Sequence, residues 1–108
     1  GGAGSLEVAP GVELLDTPQF PAEIRPGAQG ARELRDTLRA GSQLDWTLLS
    51  PAAMLKPGQR TGSFRLGTTS LLMNGDAPAS ISVEDLAVVI LNEIEQPQFI
   101  KQQFTAAY

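Results

Sequence analysis

Neither histidine nor cysteine occurs among the 108 residues. Without them a Ser-His-Asp or Cys-His triad cannot be assembled within the chain, the usual zinc ligand sets are missing, and a disulfide framework and thiolate chemistry are both excluded. Carboxylates alone remain as metal ligands. Glu93 and Glu95 stand two apart on an expected helix and point to different faces, so no metal is expected. Basic residues are also scarce, eight against twelve acidic ones for a formal net charge of −4. Nucleic-acid binding rests on clustered Lys and Arg, so no nucleic-acid partner is expected. Arg25, Arg32, Arg35 and Arg39 fall in one short region, interleaved with Glu33 and Asp36. With Arg32 four residues before Asp36, that pattern reads as a solvated helix face with side-chain pairs and not as a phosphate grip. No apolar run approaches the ~20 residues that cross a bilayer, and no basic-then-apolar leader opens the chain; a cytoplasmic protein without membrane contact is the expectation.

What is present suits a folded domain. Hydrophobic residues make up 42% of the chain against 19% charged, enough apolar surface to form a core. The chain opens on Gly1 and not Met, which suggests a removed leader or a fragment that begins within a fold. Gly1-Gly-Ala-Gly-Ser5 invites a phosphate-loop reading, but a third glycine would be needed where Glu7 stands, and Val8-Ala-Pro-Gly11 does not begin a helix. Gly1 to Leu6 therefore reads as a loop that follows a strand lying mostly upstream.

Val8 to Pro21 is an irregular connector punctuated by Pro10-Gly11, Pro18 and Pro21, with Val12, Leu14 and Leu15 as a brief extended piece. Ala31, Leu34 and Leu38 recur at helical spacing before Gly41; the spacing predicts a helix over Gln29 to Arg39, its first turn weakened by Pro26, Gly27 and Gly30. Leu44-Asp-Trp-Thr-Leu-Leu49 follows as a strand buried on both faces, ending at Ser50-Pro51. In an open α/β sheet ligands bind beyond the carboxyl ends of strands. Ser50 to Met54 is thus either the edge of a site or a plain strand-to-loop junction, Trp46 reads as core packing, and Met54 as pocket wall or core filler.

Strand-like pieces follow near Ser63 to Leu66 and Ser70 to Met73, with Gly67-Thr-Thr able to close a hairpin and Asn74-Gly75-Asp76 as a turn signal. Ser82 is a natural N-cap with Asp85 three residues on. Val83, Leu86, Ala87, Ile90 and Ile94 make an apolar stripe, so a helix is expected from Val83 to about Glu95, stopped by Pro97. Phe99 to Tyr108 closes the chain as a strand. The order loop, helix, strand, hairpin, helix, strand predicts an α/β unit with parallel pairing and a small antiparallel excursion.

Four stretches carry a family resemblance: Gly1-Gly-Ala-Gly-Ser-Leu6, Leu44-Asp-Trp-Thr-Leu-Leu-Ser-Pro51, Gly62-Ser-Phe-Arg-Leu-Gly67, and Ile81-Ser-Val-Glu-Asp-Leu-Ala87 with the helix running on to Glu95-Gln-Pro97. In this order, over almost the whole chain, they resemble the C-terminal half of atypical short-chain dehydrogenase/reductases, the NAD(P)H-binding NmrA-like and NADH-flavin reductase group. The resemblance implies the C-terminal portion of a Rossmann-type doubly wound, mostly parallel sheet with a small antiparallel hairpin. Residues 1–108 would then be a single partial domain whose G-x-x-G-x-x-G half is absent. It implies NAD(P)H as cofactor of the full-length protein, with Gly2, Ala3, Gly4, Ser5, Ser50, Pro51 and Ala52 against the dinucleotide and Leu6, Ala53 and Met54 around the substrate. Ser5 is open to two readings, a polar contact to a ligand or the end of a Gly-rich turn.

The same resemblance implies an NAD(P)H-dependent reductase of flavin-like or quinone-like acceptors, or alternatively a non-catalytic dinucleotide sensor of the NmrA-like type. Partners are then the dinucleotide, a small-molecule acceptor, and either the missing N-terminal half or another copy of the chain along the sheet edge. One departure matters: the Tyr-x-x-x-Lys proton-transfer pair of classical members has no counterpart, since Tyr108 is the single tyrosine and the lysines stand at 56 and 101. The catalytic residues are therefore left unassigned, and the isolated chain is expected to be inactive.

Overall fold

The computed structural model describes residues 2–108; Gly1, the first residue of the opening motif, lies outside the described residues. A single 3-10 turn at Ala3–Ser5 feeds two short antiparallel strands, β1 (Glu7–Ala9) and β2 (Val12–Glu13). Between them Gly11 takes φ +76°, a left-handed conformation glycine enters without a Cβ clash. Of the expected extended piece only Val12 lies in β2, because Leu14–Asp16 close into another 3-10 turn.

After a further turn at Ala22–Ile24 the chain enters α1 (Arg25–Ala40), which starts four residues ahead of the expected Gln29. Pro26 sits in the first helical turn, where the N–H it lacks would have had no intrahelical partner, so it opens the helix and does not weaken it. The expected stripe of Ala31, Leu34 and Leu38 is not the docking face, since Leu34 stays exposed and Arg35 is the buried residue.

β3 (Thr47–Leu49) is shorter than expected, and burial on both faces does not hold along it. Leu44 is 70% exposed, Trp46 half-buried, and Leu48 alone of the three strand residues fully covered. The chain continues through β4 (Met54–Lys56), β5 (Arg65–Gly67), β6 (Met73–Asn74), β7 (Ala77–Pro78) and β8 (Ser80–Ser82) to α2 (Val83–Glu95) and β9 (Gln102–Ala107). The hairpin forms at Asn74-Gly75-Asp76, joining β6 to β7 with Gly75 at φ +63°. It does not form at Gly67-Thr-Thr, because the next residues pair with the N-terminal segment instead: Glu7 N donates to Thr69 O and Leu71 N to Glu7 O.

β9 is the centre of the structure, pairing with β3 in parallel and β5 antiparallel, while β4 and β8 form a separate parallel pair. The fold is therefore α/β with mixed and parallel sheets and two helices, and among the described residues no sheet exceeds three strands. Ala52, Ala79, Ile81, Val89, Phe104 and Ala106 form the main core, beside which Phe99 and Phe104 stack with centroids 4.5 Å apart.

α2 has its expected boundaries, and Ser82 Oγ accepts from Asp85 N at 2.9 Å as a cap. Its apolar stripe is another matter. Val83, Ala87, Ile90 and Ile94 are exposed, because the helix docks through the row that carries Asp85 and Val89. The last strand begins at Gln102 and not Phe99, after Lys101 turns the backbone at φ 59°.

Candidate functional site

The parallel pair β3–β9 brings the two ends of the chain together. Ser50 N continues the ladder by donating to Phe104 O at 2.9 Å, so the segment after β3 leaves the sheet directly beside β9. The N-terminal turn is drawn to the same place by a buried amide. Gln103 Nε2 donates to Ser5 Oγ at 2.8 Å and to Ser50 Oγ at 2.9 Å, and its Oε1 accepts from Arg39 NH2 at 3.0 Å. Both ends of that amide are satisfied, which a buried polar side chain needs.

Above this tie lies a cleft of about 700 Å³, within the size range of small-molecule pockets. Gly2, Ala3 and Gly4 line it together with Pro51, Ala52 and Ala53. Six of the ten residues expected at the site thus meet around one cavity. Ser5 and Ser50 do not line it; they are buried beneath, with their hydroxyls engaged by Gln103. Leu6 is also displaced from the expected pocket. The chain folds back there, Leu6 N donating to Ala3 O, and the side chain is fully enclosed. Met54 opens β4, and its register against Ser80 turns it to a second hollow of about 440 Å³ shared with Lys56, Gln59 and Tyr108.

The remaining wall comes from residues the sequence did not mark. Phe20, Pro21, Glu23 and Ile24 of the connector line the cleft, as do Gly27 and Ala28 of the first turns of α1. Gly4 is what lets α1 approach, since a Cβ there would stand 3.1 Å from Ala28 Cβ and 3.4 Å from Phe20 Cζ. Gln103 could have been noticed as a polar side chain inside a strand of sheet-forming residues; the connector carried no such signal.

The four arginines of α1 do form side-chain pairs, but they do not share one solvated face: Arg39 is exposed, Arg25 and Arg32 are half-buried and Arg35 is buried. Arg35 is 5% exposed and donates to Ser5 O at 2.9 Å, with Glu13 at 2.8 Å and Asp36 at 2.8 Å. Burial pushes its guanidinium down, but the hydrogen bonds to Glu13 and Asp36 outweigh that and hold it above the usual arginine value. Arg32 pairs with Asp16 at 2.7 Å and Glu13 at 3.5 Å, not with Asp36 four residues on. Arg25 donates to Leu15 O at 2.7 Å while its guanidinium carbon lies 5.6 Å from the centre of the Phe20 ring.

A second polar centre surrounds Asp85. Its carboxylate accepts from Thr61 N at 2.9 Å, Thr61 Oγ1 at 2.6 Å, Gly62 N at 2.9 Å and Tyr108 OH at 2.5 Å. Burial pushes this group up, yet the hydrogen bonds from Thr61, Tyr108 and Gly62 prevail and lower it to about 2. Every donor stabilises the anion, so Asp85 holds a loop in place and has no proton to offer near neutral pH. Tyr108 is committed to the same carboxylate.

Against known proteins, no family model matches the chain. It is 41% identical over 108 residues to "Uncharacterized protein YwnB" of Bacillus subtilis, an alignment covering 97% of this chain and 51% of that one. Among solved structures, a "putative exported protein" from Burkholderia pseudomallei superposes with a TM-score of 0.93 at 47% identity, and covers all of this chain with 53% of its own. A "putative epimerase" from Bacteroides thetaiotaomicron gives 0.90 at 40% identity, with 50% of that chain covered. A "putative NADH-flavin reductase" from Streptococcus pneumoniae gives 0.89 at 34%, with 52% covered. The chain thus spans about half the length of the relatives it matches and shares its fold with a reductase-like and an epimerase-like protein.

One expectation is overturned by these likenesses. A cytoplasmic location was inferred from the lack of a leader, whereas the 47% identical relative is described as exported. A chain that spans half of its relatives is silent on what precedes it, so the missing leader carried no information. Among the described residues no helix is long and apolar enough to cross a membrane.

Proposed function

We propose that this chain is the acceptor-side portion of an NAD(P)H-dependent oxidoreductase that reduces flavin-like or quinone-like molecules. On this reading residues 1–108 are the C-terminal part of a Rossmann-type doubly wound domain, completed by an N-terminal half or by another copy of the chain along the sheet edge. The observation that carries it is the cleft shared by Gly2–Gly4 and Pro51–Ala53. Likeness to a "putative NADH-flavin reductase" and a "putative epimerase" supports a nicotinamide-dependent role.

The residues present fit one end of a dinucleotide. No atom lies within 4 Å of a Cβ built on Gly2, which leaves the backbone there open to a flat ring. Gly2, Ala3, Gly4, Pro51 and Ala52 would hold the nicotinamide, with Ala53 toward the acceptor; the cofactor supplies the hydride. What this chain contributes is placement and exclusion of water, the larger share of the protein's work when a cofactor carries the chemistry. Gln103 fixes the spacing between the two glycine-side and proline-side segments through Ser5 and Ser50. Among the described residues neither Tyr108 nor a lysine lines the cleft, so this chain offers no proton donor of the classical Tyr-Lys kind there.

The test has two arms. Titration of NADPH fluorescence with the 108-residue chain should show binding weaker than about 1 mM, because no phosphate loop is present; micromolar affinity would overturn the partial-domain reading. In the full-length protein, NAD(P)H oxidation should depend on added flavin or quinone. Absence of turnover across both acceptor classes would sink the reductase and leave the cofactor-sensing role in its place.

A further inference from the structure

We propose that the cleft selects its acceptor by charge, admitting a neutral aromatic ring and turning away the same ring bearing an anionic group, with Glu23 as the discriminating residue and Phe20 as the apolar wall. This rests on the acceptor-site reading above and specifies the ligand of that site. Among the described residues lining the cleft, Glu23 is the single charged side chain; Leu14, Phe20, Ile24 and Leu55 are the large apolar side chains, and the others are glycine, alanine or proline. A phosphate, sulfonate or carboxylate entering there would lose water and meet a carboxylate, with no cation among the described lining residues to receive it.

The arginines nearby do not change this. Arg25 donates to Leu15 O and lies over the Phe20 ring, Arg32 and Arg35 are held by Glu13, Asp16 and Asp36, and Arg39 is bound to Gln103. None of the four is among the described residues that line the cavity. The contact between Arg25 and Phe20 also orients the ring, whose edge a Cβ at Gly4 would meet at 3.4 Å. A cavity of about 700 Å³ with such a lining has the size and polarity for a fused two-ring or three-ring system.

The experiment compares two probes of one ring size, 2-methyl-1,4-naphthoquinone and 1,4-naphthoquinone-2-sulfonate, by calorimetric titration into the 108-residue chain without cofactor. The chain has no cysteine, so quinone addition to a thiol cannot confuse the result. The neutral quinone should bind about tenfold more tightly than the sulfonate at low salt, and the ratio should shrink as salt screens Glu23, which is solvent-exposed. Glu23→Gln should bring the ratio to about two, while Phe20→Ala should weaken both probes and leave the ratio unchanged. Equal affinities for the two probes, no binding of either, or a ratio that ignores Glu23→Gln would each overturn the proposal. Because cofactor is absent, selective quinone binding combined with no NAD(P)H oxidation by the full-length protein would retain this inference and remove the reductase. Turnover with indifferent quinone charge would do the reverse.

Discussion

The two helices of this chain are attached by opposite chemistry. α1 buries one residue completely, Arg35, and reaches outward with cations: Arg25 to Leu15 O, Arg32 to Asp16, Arg35 to Ser5 O and Glu13, Arg39 to Gln103. α2 lays Val89 on the core and uses anions at its first turn, Glu84 accepting from Gly58 N and Asp85 from Thr61 N and Gly62 N. In α2 the carboxylates also sit at the end of the helix where the backbone dipole favours negative charge. The cleft is walled by the helix that ion pairs hold, so its shape should respond to charge and salt. The loop from residue 56 to 63 hangs on the helix that apolar packing holds, and should respond to acid.

The largest break in this comparison comes at Arg35. Its side chain is 6% exposed and its donors serve Ser5 O, Glu13 and Asp36, so Arg35→Met leaves a carbonyl without its donor and the mostly covered Glu13 carboxylate with only Arg32, at 3.5 Å. Removing one partner of a buried pair costs about 3 to 5 kcal/mol; the exposed Asp36 contact adds little, which places the expected loss near ~3 kcal/mol. Urea denaturation monitored at Trp46 measures it. A loss under ~1 kcal/mol would mean that α1 is held by something other than its arginines.

Next in size is the effect of acid on the other helix. The Asp85 carboxylate titrates at about 2 in the folded chain, below the ordinary carboxylate value near ~3.9. A lowered folded-state value means that its contribution is complete above the ordinary value and is lost as pH falls toward 2. The Thr61 and Gly62 amides should therefore stay protected from hydrogen exchange down to about pH 4 and lose protection progressively between 4 and 2. Asp85→Asn should accelerate their exchange on the order of tenfold at neutral pH and abolish the acid-dependent step. Protection that is unchanged in Asp85→Asn would remove the carboxylate from its anchoring role.

These two attachments also explain what the sequence could and could not reveal. The start of α2 was readable because it is local: Ser82 caps Asp85 three residues on, and Asn74-Gly75-Asp76 turns the chain within its own neighbourhood. The attachments of α1 were not, because Arg32 finds Asp16 and Arg35 finds Ser5, 16 and 30 residues away, and nothing in the spacing of Arg32 and Asp36 says that the nearer carboxylate will be passed over. Gln103 joins Ser5 across 98 residues. The site divides the same way. Gly2–Gly4 and Pro51–Ala53 were marked by motif, whereas Phe20 to Ile24 reach the cleft through the packing of α1, and Leu6 and Met54 leave it through a backbone turn and a strand register that no motif records.

The smallest effect separates holding the wall from shaping it. Gly27 and Gly30 both lie inside α1, neither has a positive φ, and a Cβ at either meets no atom within 4 Å. Alanine at each should therefore stabilise by about 0.5 to 1 kcal/mol through helix propensity alone. The two differ in one respect: Gly27 lines the cleft and Gly30 does not. Gly30→Ala should raise the denaturation midpoint and leave the affinity for 2-methyl-1,4-naphthoquinone as it was, while Gly27→Ala should raise the midpoint by a similar amount and weaken that affinity about twofold to fivefold, since a methyl group enters the ring's space. If both variants gained stability and neither changed binding, α1 would be a support for the cavity without being one of its walls. Selection of the acceptor would then have to lie with the connector that carries Phe20 and Glu23, the N-terminal turn and the segment after β3.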